Sequence, residues 1–300
     1  MPDVETPPSR LAWLNREGKV LSRIDPPRVM DPGLALSPDG TRAAVSVRTD
    51  DKWDIWVITL STGAGSRVTS GGADRRPRWS PDGKSLVYDS GAASVTPQGT
   101  GQAATTVVKR AAADGSGELG EFGAGRDAVM SSDAQRVLFM RDFDILARAI
   151  DGGQETGVLV GPTSDGFPVP SPDGRHLAFM TMTPSRVGVV VAPMSAPQKR
   201  LELGTGPSWW PRWSRDGRRL FFATLKDVQQ VDVYPEPAFR LGIPKWLFDR
   251  ASTPSGAPYA FDISPDGERF LVVEPDQSVS RARSIVVVLN FAPNGASGNR

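Results

Sequence analysis

Cysteine is absent from the 300 residues and histidine occurs once. The first absence excludes disulfides, thiolate zinc sites and cysteine nucleophiles, and leaves the compartment open. The second rules out a three-histidine metal site, and neither an H-E-x-x-H helix nor a G-x-S-x-G elbow is present to support metalloprotease or Ser-His-Asp chemistry. Asparagine is scarce: Asn15, Asn290, Asn294 and Asn299 are the four copies. No run approaches the ~18 apolar residues of a spanning helix, and the opening Met1-Pro2-Asp3-Val4-Glu5-Thr6-Pro7-Pro8 lacks the basic-then-apolar layout of a signal peptide. An excess of either charge is missing too. With 35 basic against 34 acidic residues, nothing marks a nucleic-acid footprint or a polybasic membrane anchor. Sustained helical periodicity is hard to find.

Glycine (31) and proline (27) are plentiful. They punctuate short apolar runs, the layout of many short strands joined by tight turns. Ser37-Pro38-Asp39-Gly40 recurs as Ser80-Pro81-Asp82-Gly83, Ser171-Pro172-Asp173-Gly174 and Ser264-Pro265-Asp266-Gly267. Ser214-Arg215-Asp216-Gly217 is a near copy and Ser131-Ser132-Asp133-Ala134 a worn one. Successive copies are 43, 51, 40, 43 and 50 residues apart, the length of a four-stranded propeller blade. In the turn, proline presets φ, aspartate bonds nearby backbone and glycine accepts positive φ, so these aspartates are expected to be structural.

The expected fold is therefore all-β: a six-bladed β-propeller of four-stranded antiparallel blades over residues 11–292, with flexible segments at 1–10 and 293–300. Inner strands are expected near 33–37, 76–80, 127–131, 167–171, 210–214 and 260–264. The sixth blade lacks outer strands of its own, so strands from both termini close the ring and remove free edges. Leu11–Asn15, Val20–Ile24 and Ser284–Phe291 compete for two places, in an order the sequence leaves open.

Several motifs together resemble the TolB-like propeller repeats of bacteria. They are Asp54-Ile55-Trp56-Val57, Arg78-Trp79-Ser80-Pro81-Asp82-Gly83, Phe239-Arg240-Leu241-Gly242-Ile243-Pro244 ahead of Leu247-Phe248, and the closing Val287-Val288-Leu289-Asn290-Phe291. The resemblance covers nearly the whole chain and is most similar to propeller domains C-terminal to bacterial serine/threonine kinases. It implies a bacterial sensor or interaction module, extracytoplasmic if part of a larger membrane-anchored protein. It does not imply kinase activity, because the chain has no glycine-rich nucleotide loop with its lysine and no catalytic-loop signature. Asp142-Phe143-Asp144 is read as part of a blade-three strand rather than as a magnesium motif.

In propellers the inner strands line a central channel and loops ring its mouths. Aligned on the turn serine, the position four residues earlier holds Gly33, Arg76, Asp127, Phe167, Trp210 and Ala260. Two residues earlier stand Ala35, Arg78, Val129, Val169, Arg212 and Asp262. Candidate binding residues at the channel mouth are thus Arg76, Asp127, Trp209, Trp210 and Tyr259, with Arg75 and Arg126 beside them and Arg78, Arg212 and Asp262 deeper. Arginines next to aromatics suit an anionic or planar group, or a peptide. The competing structural reading pairs Arg78, Arg212 and Asp262 across the channel as fixed ions. Trp56, Trp79 and Trp213 occupy apolar repeat positions and are expected to wedge between blades, and His176 to be a plain surface strand residue.

Two functional readings follow. The first is a non-catalytic, monomeric module that binds a protein, peptide or small ligand at the channel mouth, with no cofactor, no nucleic acid and no membrane insertion. The second is a metal-dependent hydrolase of esters, lactones or phosphotriesters with a divalent cation in the channel. Six-bladed enzymes of that kind hold calcium with Asn, Asp and Glu oxygens; with asparagine confined to the terminal strands and tail, only an aspartate-based site remains for it here.

Overall fold

The computed structural model describes residues 8–91, 106–184, 186–204, 206–235, 238–249 and 261–276. Among them every regular element is a strand, and no helix is long and apolar enough to cross a membrane. The strands form six antiparallel sheets. Blade one runs outwards through Met30–Leu36, Arg42–Thr49, Lys52–Thr59 and Gly65–Arg67, and blade two through Asp74–Trp79, Ser85–Ser90, Val107–Ala112 and Glu118–Ala124. Blade three is Arg126–Met130, Arg136–Arg141, Asp144–Ala149 and Thr156–Leu159; blade four is Ser164–Pro170, His176–Thr183, Arg186–Pro193 and Leu201–Glu202. In blade five Ser208–Trp213, Arg219–Thr224 and Asp227–Tyr234 carry two short outer pieces, Arg240–Leu241 and Lys245–Asp249, both paired with Asp227–Tyr234. The outer strand is split at Gly242-Ile243-Pro244, where proline has no ladder donor.

Blade six joins Phe261–Ile263 and Phe270–Pro275 to Ser9–Leu14 and Val20–Arg28. Both outer places are filled from the N-terminal side. Ser9–Leu14 pairs without a break along Phe270–Pro275, from Ser9 opposite Pro275 to Leu14 opposite Phe270. The third candidate, Ser284–Phe291, lies outside the described residues. Strand alternation sends Leu11 and Trp13 into the core shared with blade one, and Ala12 and Leu14 into the core shared with blade five. Arg23 clamps the buried Glu274 with Nε and Nη2 at 2.7 and 2.8 Å, a bidentate tie across the closing strands.

A hydrophobic core fills each blade-to-blade interface. Trp79 and Trp213 are pinned there by one device. The indole N–H of Trp79 donates to the Ala35 carbonyl at 2.9 Å, and that of Trp213 to Val169 at 3.0 Å, each in the preceding blade. Trp56 packs against the core between blades six and one.

All six repeat turns have one hydrogen-bond plan. The serine hydroxyl donates to the aspartate two residues on, at 2.5–2.6 Å in the first five, and the Ser264–Asp266 pair is the sixth. The same carboxylate accepts a backbone N–H two residues further, such as Lys84 at 3.0 Å. Gly40 takes φ +74, and a Cβ there would stand 2.7 Å from Pro265, so this turn is seated on that of blade six as well as on itself. Asp142 and Phe143 also take positive φ (51 and 67). They form a two-residue hairpin turn before Asp144 opens the next strand, which corrects the strand reading of this segment.

Candidate functional site: the central channel

The inner strands of blades two to five each slip register once: between Arg75 and Arg78, Arg126 and Val129, Gly166 and Val169, and Trp209 and Arg212. Each slip contains the position four residues before the turn serine. There Arg76, Asp127, Phe167 and Trp210 take left-handed φ values of 54, 53, 55 and 51. A bulged, left-handed non-glycine residue costs of order 1–3 kcal/mol. Proline follows in three of the four, supplying no N–H where the bulge interrupts the ladder. Arg76, Asp127 and Trp210 thus have a backbone role that their departure from the apolar repeat pattern does not disclose. Phe167 belongs with them and was missed; an aromatic directly before proline at a repeat-equivalent position was the available signal.

The bulges bring these side chains together near one end of the channel, around a space of about 20 Å³ lined by Arg76, Arg78, Asp127, Phe167, Trp210 and Arg212 among others. Arg76 Nη1 lies 3.2 Å from Asp127 Oδ1 and 3.5 Å from Asp89 Oδ2, and the Asp127 N–H donates to Asp89 Oδ2 at 3.0 Å. Burial, then the charge of Asp127, push the Asp89 carboxyl up to about 7, with Arg76 pulling the other way. Asp89 is therefore about half protonated near neutral pH, coupled to the charge of Asp127.

That coupling carries a pH prediction. An acid whose folded pKa is raised favours the fold when protonated, so its contribution is complete below about 4 and is lost as pH rises through about 7. The turn aspartates act oppositely. The Ser37 hydroxyl first, then the Thr41 N–H, hold Asp39 down at about 2. The serine hydroxyl likewise leads in lowering Asp82, Asp133 and Asp266. At Asp173 and Asp216 burial opposes the shift, and the hydrogen bonds outweigh it. Their contribution is present above about 4 and lost on acidification. The melting temperature is therefore expected to peak near pH 4, to fall on acidification and to decline again as pH rises from about 4 to 7. Asp89→Asn, which mimics the protonated acid, should flatten the alkaline limb alone; an unchanged limb by differential scanning calorimetry would reject the assignment.

Towards the other end the channel widens into a cavity of about 440 Å³. Its rim is built from the repeat turns: Pro38, Pro81, Pro172 and Pro265, with Ser132 and Arg215 at the equivalent places in blades three and five. Arg215 Nη1 donates to the Pro38 carbonyl at 2.7 Å and so straps the rim past blade six. Arg78, Arg212 and Asp262 lie deeper in the same cavity. Arg78 Nη1 donates to the carbonyls of Leu34 (3.0 Å) and Pro77 (3.2 Å), and Arg212 Nη1 to that of Pro211 (2.9 Å). Asp262 accepts the N–H groups of Leu36 and Ile263, both at 2.9 Å, while the Arg212 Nε stays 3.8 Å away. Burial, then the nearby charge of Arg78, push the Arg212 guanidinium down to about 9 against the pull of Asp262, and it remains a cation at neutral pH. Burial lowers Arg78 as well.

The other candidates are placed as follows. Trp209 is partly buried against the core between blades five and six, its ring 6.0 Å from that of Trp210. Arg75 turns to blade one, 2.8 Å from Asp31 and over the Trp53 ring at 4.3 Å. Arg126 Nε is 3.9 Å from Asp127 Oδ2. Tyr259 lies outside the described residues. His176 stacks on Phe239 at 3.7 Å, and burial lowers its pKa. Among the described residues no three His, Asp or Glu side chains are grouped so as to hold a metal ion.

No protein-family model matches this chain, and no curated protein does. Solved structures do. A putative TolB from Agrobacterium tumefaciens aligns over 90% of this chain and 99% of its own, at 19% identity and a TM-score of 0.64. TolB from Acinetobacter baumannii aligns over 80% of this chain and 67% of its own, at 17% identity and a TM-score of 0.57. Hydrazine synthase from Kuenenia stuttgartiensis reaches the same TM-score at 13% identity, covering 86% of each chain. The chain shares the fold of TolB propellers. An enzyme carries that fold too, so the site rather than the fold must argue the function.

Proposed function

We propose that this propeller is a non-catalytic binding module whose ligand, a small molecule or a segment of a partner protein, enters the channel through the ring of repeat turns. The observation that carries the reading is the cavity of about 440 Å³ at that end, against about 20 Å³ at the constriction. Its volume lies in the range of ordinary ligand pockets. Among the described residues that narrower space is lined by the Arg76–Asp127 pair and the bulged aromatics, so on this reading Arg76, Asp127 and Trp210 are structural and Arg78, Arg212 and Asp262 face the ligand. The proposal includes a sensory role within a larger bacterial protein, as the sequence resemblance to propellers that follow kinase domains implies. A hydrolytic role has less support: among the described residues no three His, Asp or Glu side chains are grouped to hold a metal ion, and the Asp262 oxygens each accept a backbone N–H.

The test is occlusion. Ser132→Trp places an indole on the rim where the neighbouring turns carry proline. Fragments and short peptides detected by ligand-observed NMR should bind the wild type and be lost in this variant, with the circular dichroism unchanged and the melting temperature lowered only by loss of the Ser132 bond to the Ser171 carbonyl. Binding that persists in Ser132→Trp would move the site elsewhere. Chelator-sensitive turnover of an ester or phosphotriester that disappears in Asp262→Ala would replace the module with a hydrolase.

A further inference from the structure

The two deep arginines stand in blades two and five, which are three places apart in a ring of six and therefore face each other across the axis. They come from matching strand segments, Pro77-Arg78-Trp79-Ser80 and Pro211-Arg212-Trp213-Ser214. In both, one Nη donates to the carbonyl of the preceding proline. The two guanidiniums are therefore anchored alike, from opposite walls. The inner-strand positions equivalent to them in blades one, three and four are Ala35, Val129 and Val169, which add no charge and leave the space between the arginines open. Among the described residues Asp262 is the one carboxylate lining the cavity, and Arg215 adds a third cation at the rim. Among the described residues, Nε and Nη2 of Arg78 have no protein hydrogen-bond partner, and Nη2 of Arg212 has none. Opposed, desolvated guanidiniums with spare donors are placed to receive an oxyanion. Above them the walls change character to proline rings with Leu36, Met130 and Ile263.

We infer that the cavity binds an organic carboxylate: the anionic group sits on the axis between Arg78 and Arg212, and the apolar body rests among the turn prolines. This rests on the reading of the turn-side cavity as the ligand site. It adds the chemical class of the ligand and names the residues that choose it. Like-charged arginines held near each other repel, and burial opposes both charges; a bound carboxylate relieves both costs at once.

The experiment is isothermal titration of the full chain with 4-phenylbutyrate, its neutral primary amide, and sodium sulfate. The acid is expected to bind, the amide to bind about tenfold or more weakly, and the acid's affinity to fall with added salt. Arg212→Gln and Arg78→Gln should each lose the preference for acid over amide, while Arg126→Gln at the constricted end keeps it. Should the deep variants not fold, the acid–amide contrast on the wild type decides alone. Equal binding of acid and amide, both abolished by Ser132→Trp, would overturn the carboxylate inference and leave the cavity reading standing. Acid binding that survives Ser132→Trp would overturn both. Sulfate binding as tightly as the acid would show a site for bare oxyanions and overturn the role given to the apolar body.

Discussion

A chain beginning at Val29 is expected to lose the fold outright rather than to melt a few degrees lower. Removal of residues 1–28 takes both outer strands from blade six and one wall from each of two interblade cores. Leu11, Trp13, Leu14 and Ile24 are all buried. At about 1.5–3 kcal/mol each, their burial alone approaches the ~5–15 kcal/mol that separates most folded domains from unfolding. The loss also strands Glu274, which is 3% exposed and paired with Arg23, as an unpaired buried carboxylate. Circular dichroism and solubility of the truncated chain would report the outcome. A milder form, Leu14→Ala, should cost about 2–5 kcal/mol in urea unfolding. A truncated protein that melts like the full chain would show that another segment, with Ser284–Phe291 first in line, closes the ring.

The second large effect concerns Trp210, where two costs compete. Its left-handed backbone costs of order 1–3 kcal/mol, and truncating a buried aromatic costs about 3–5. Trp210 is 6% exposed and packed in the core between blades five and six, so packing should win. Trp210→Ala keeps the strain and loses the packing, with an expected cost of about 3–5 kcal/mol. Trp210→Gly loses the same packing but relieves the φ of 51, less the extra chain entropy of glycine. Glycine should therefore be the more stable of the two by about 1 kcal/mol, the reverse of the usual order in a strand. Urea midpoints of the pair decide it: alanine at or above glycine would mean that the bulge is not strained.

The features legible in the sequence were those with a local chemical signature. The Ser-Pro-Asp-Gly turn announces itself because each residue answers a separate backbone demand, and six copies in phase set the number of blades. Closure was harder to order, because Leu11–Leu14 and Ile285–Phe291 are equally good strand formers; only the unbroken pairing of Ser9–Leu14 with Phe270–Pro275 assigns the place. The bulges were invisible for a different reason. Left-handed φ is expected of glycine, yet the residues that adopt it are arginine, aspartate, phenylalanine and tryptophan, placed by the sheet around them. Arg78, Arg212 and Asp262, expected deep in the channel, line the wider cavity. The wide end of the channel was not anticipated, since the prolines that build its rim were read only as turn formers.

The matched segments of blades two and five have a consequence for what the axis can recognise. A six-bladed ring suggests a channel indifferent to rotation by a sixth of a turn, but at the depth of the arginines that equivalence is gone. Half a turn carries Arg78 onto Arg212, and Ala35 onto Val169, another small apolar residue. The third pair fails: Val129 in blade three faces Asp262 in blade six. The channel is therefore a dyad spoiled by one carboxylate. The two sides of the space between the arginines differ, with a carboxylate on the blade-six side and a valine on the blade-three side.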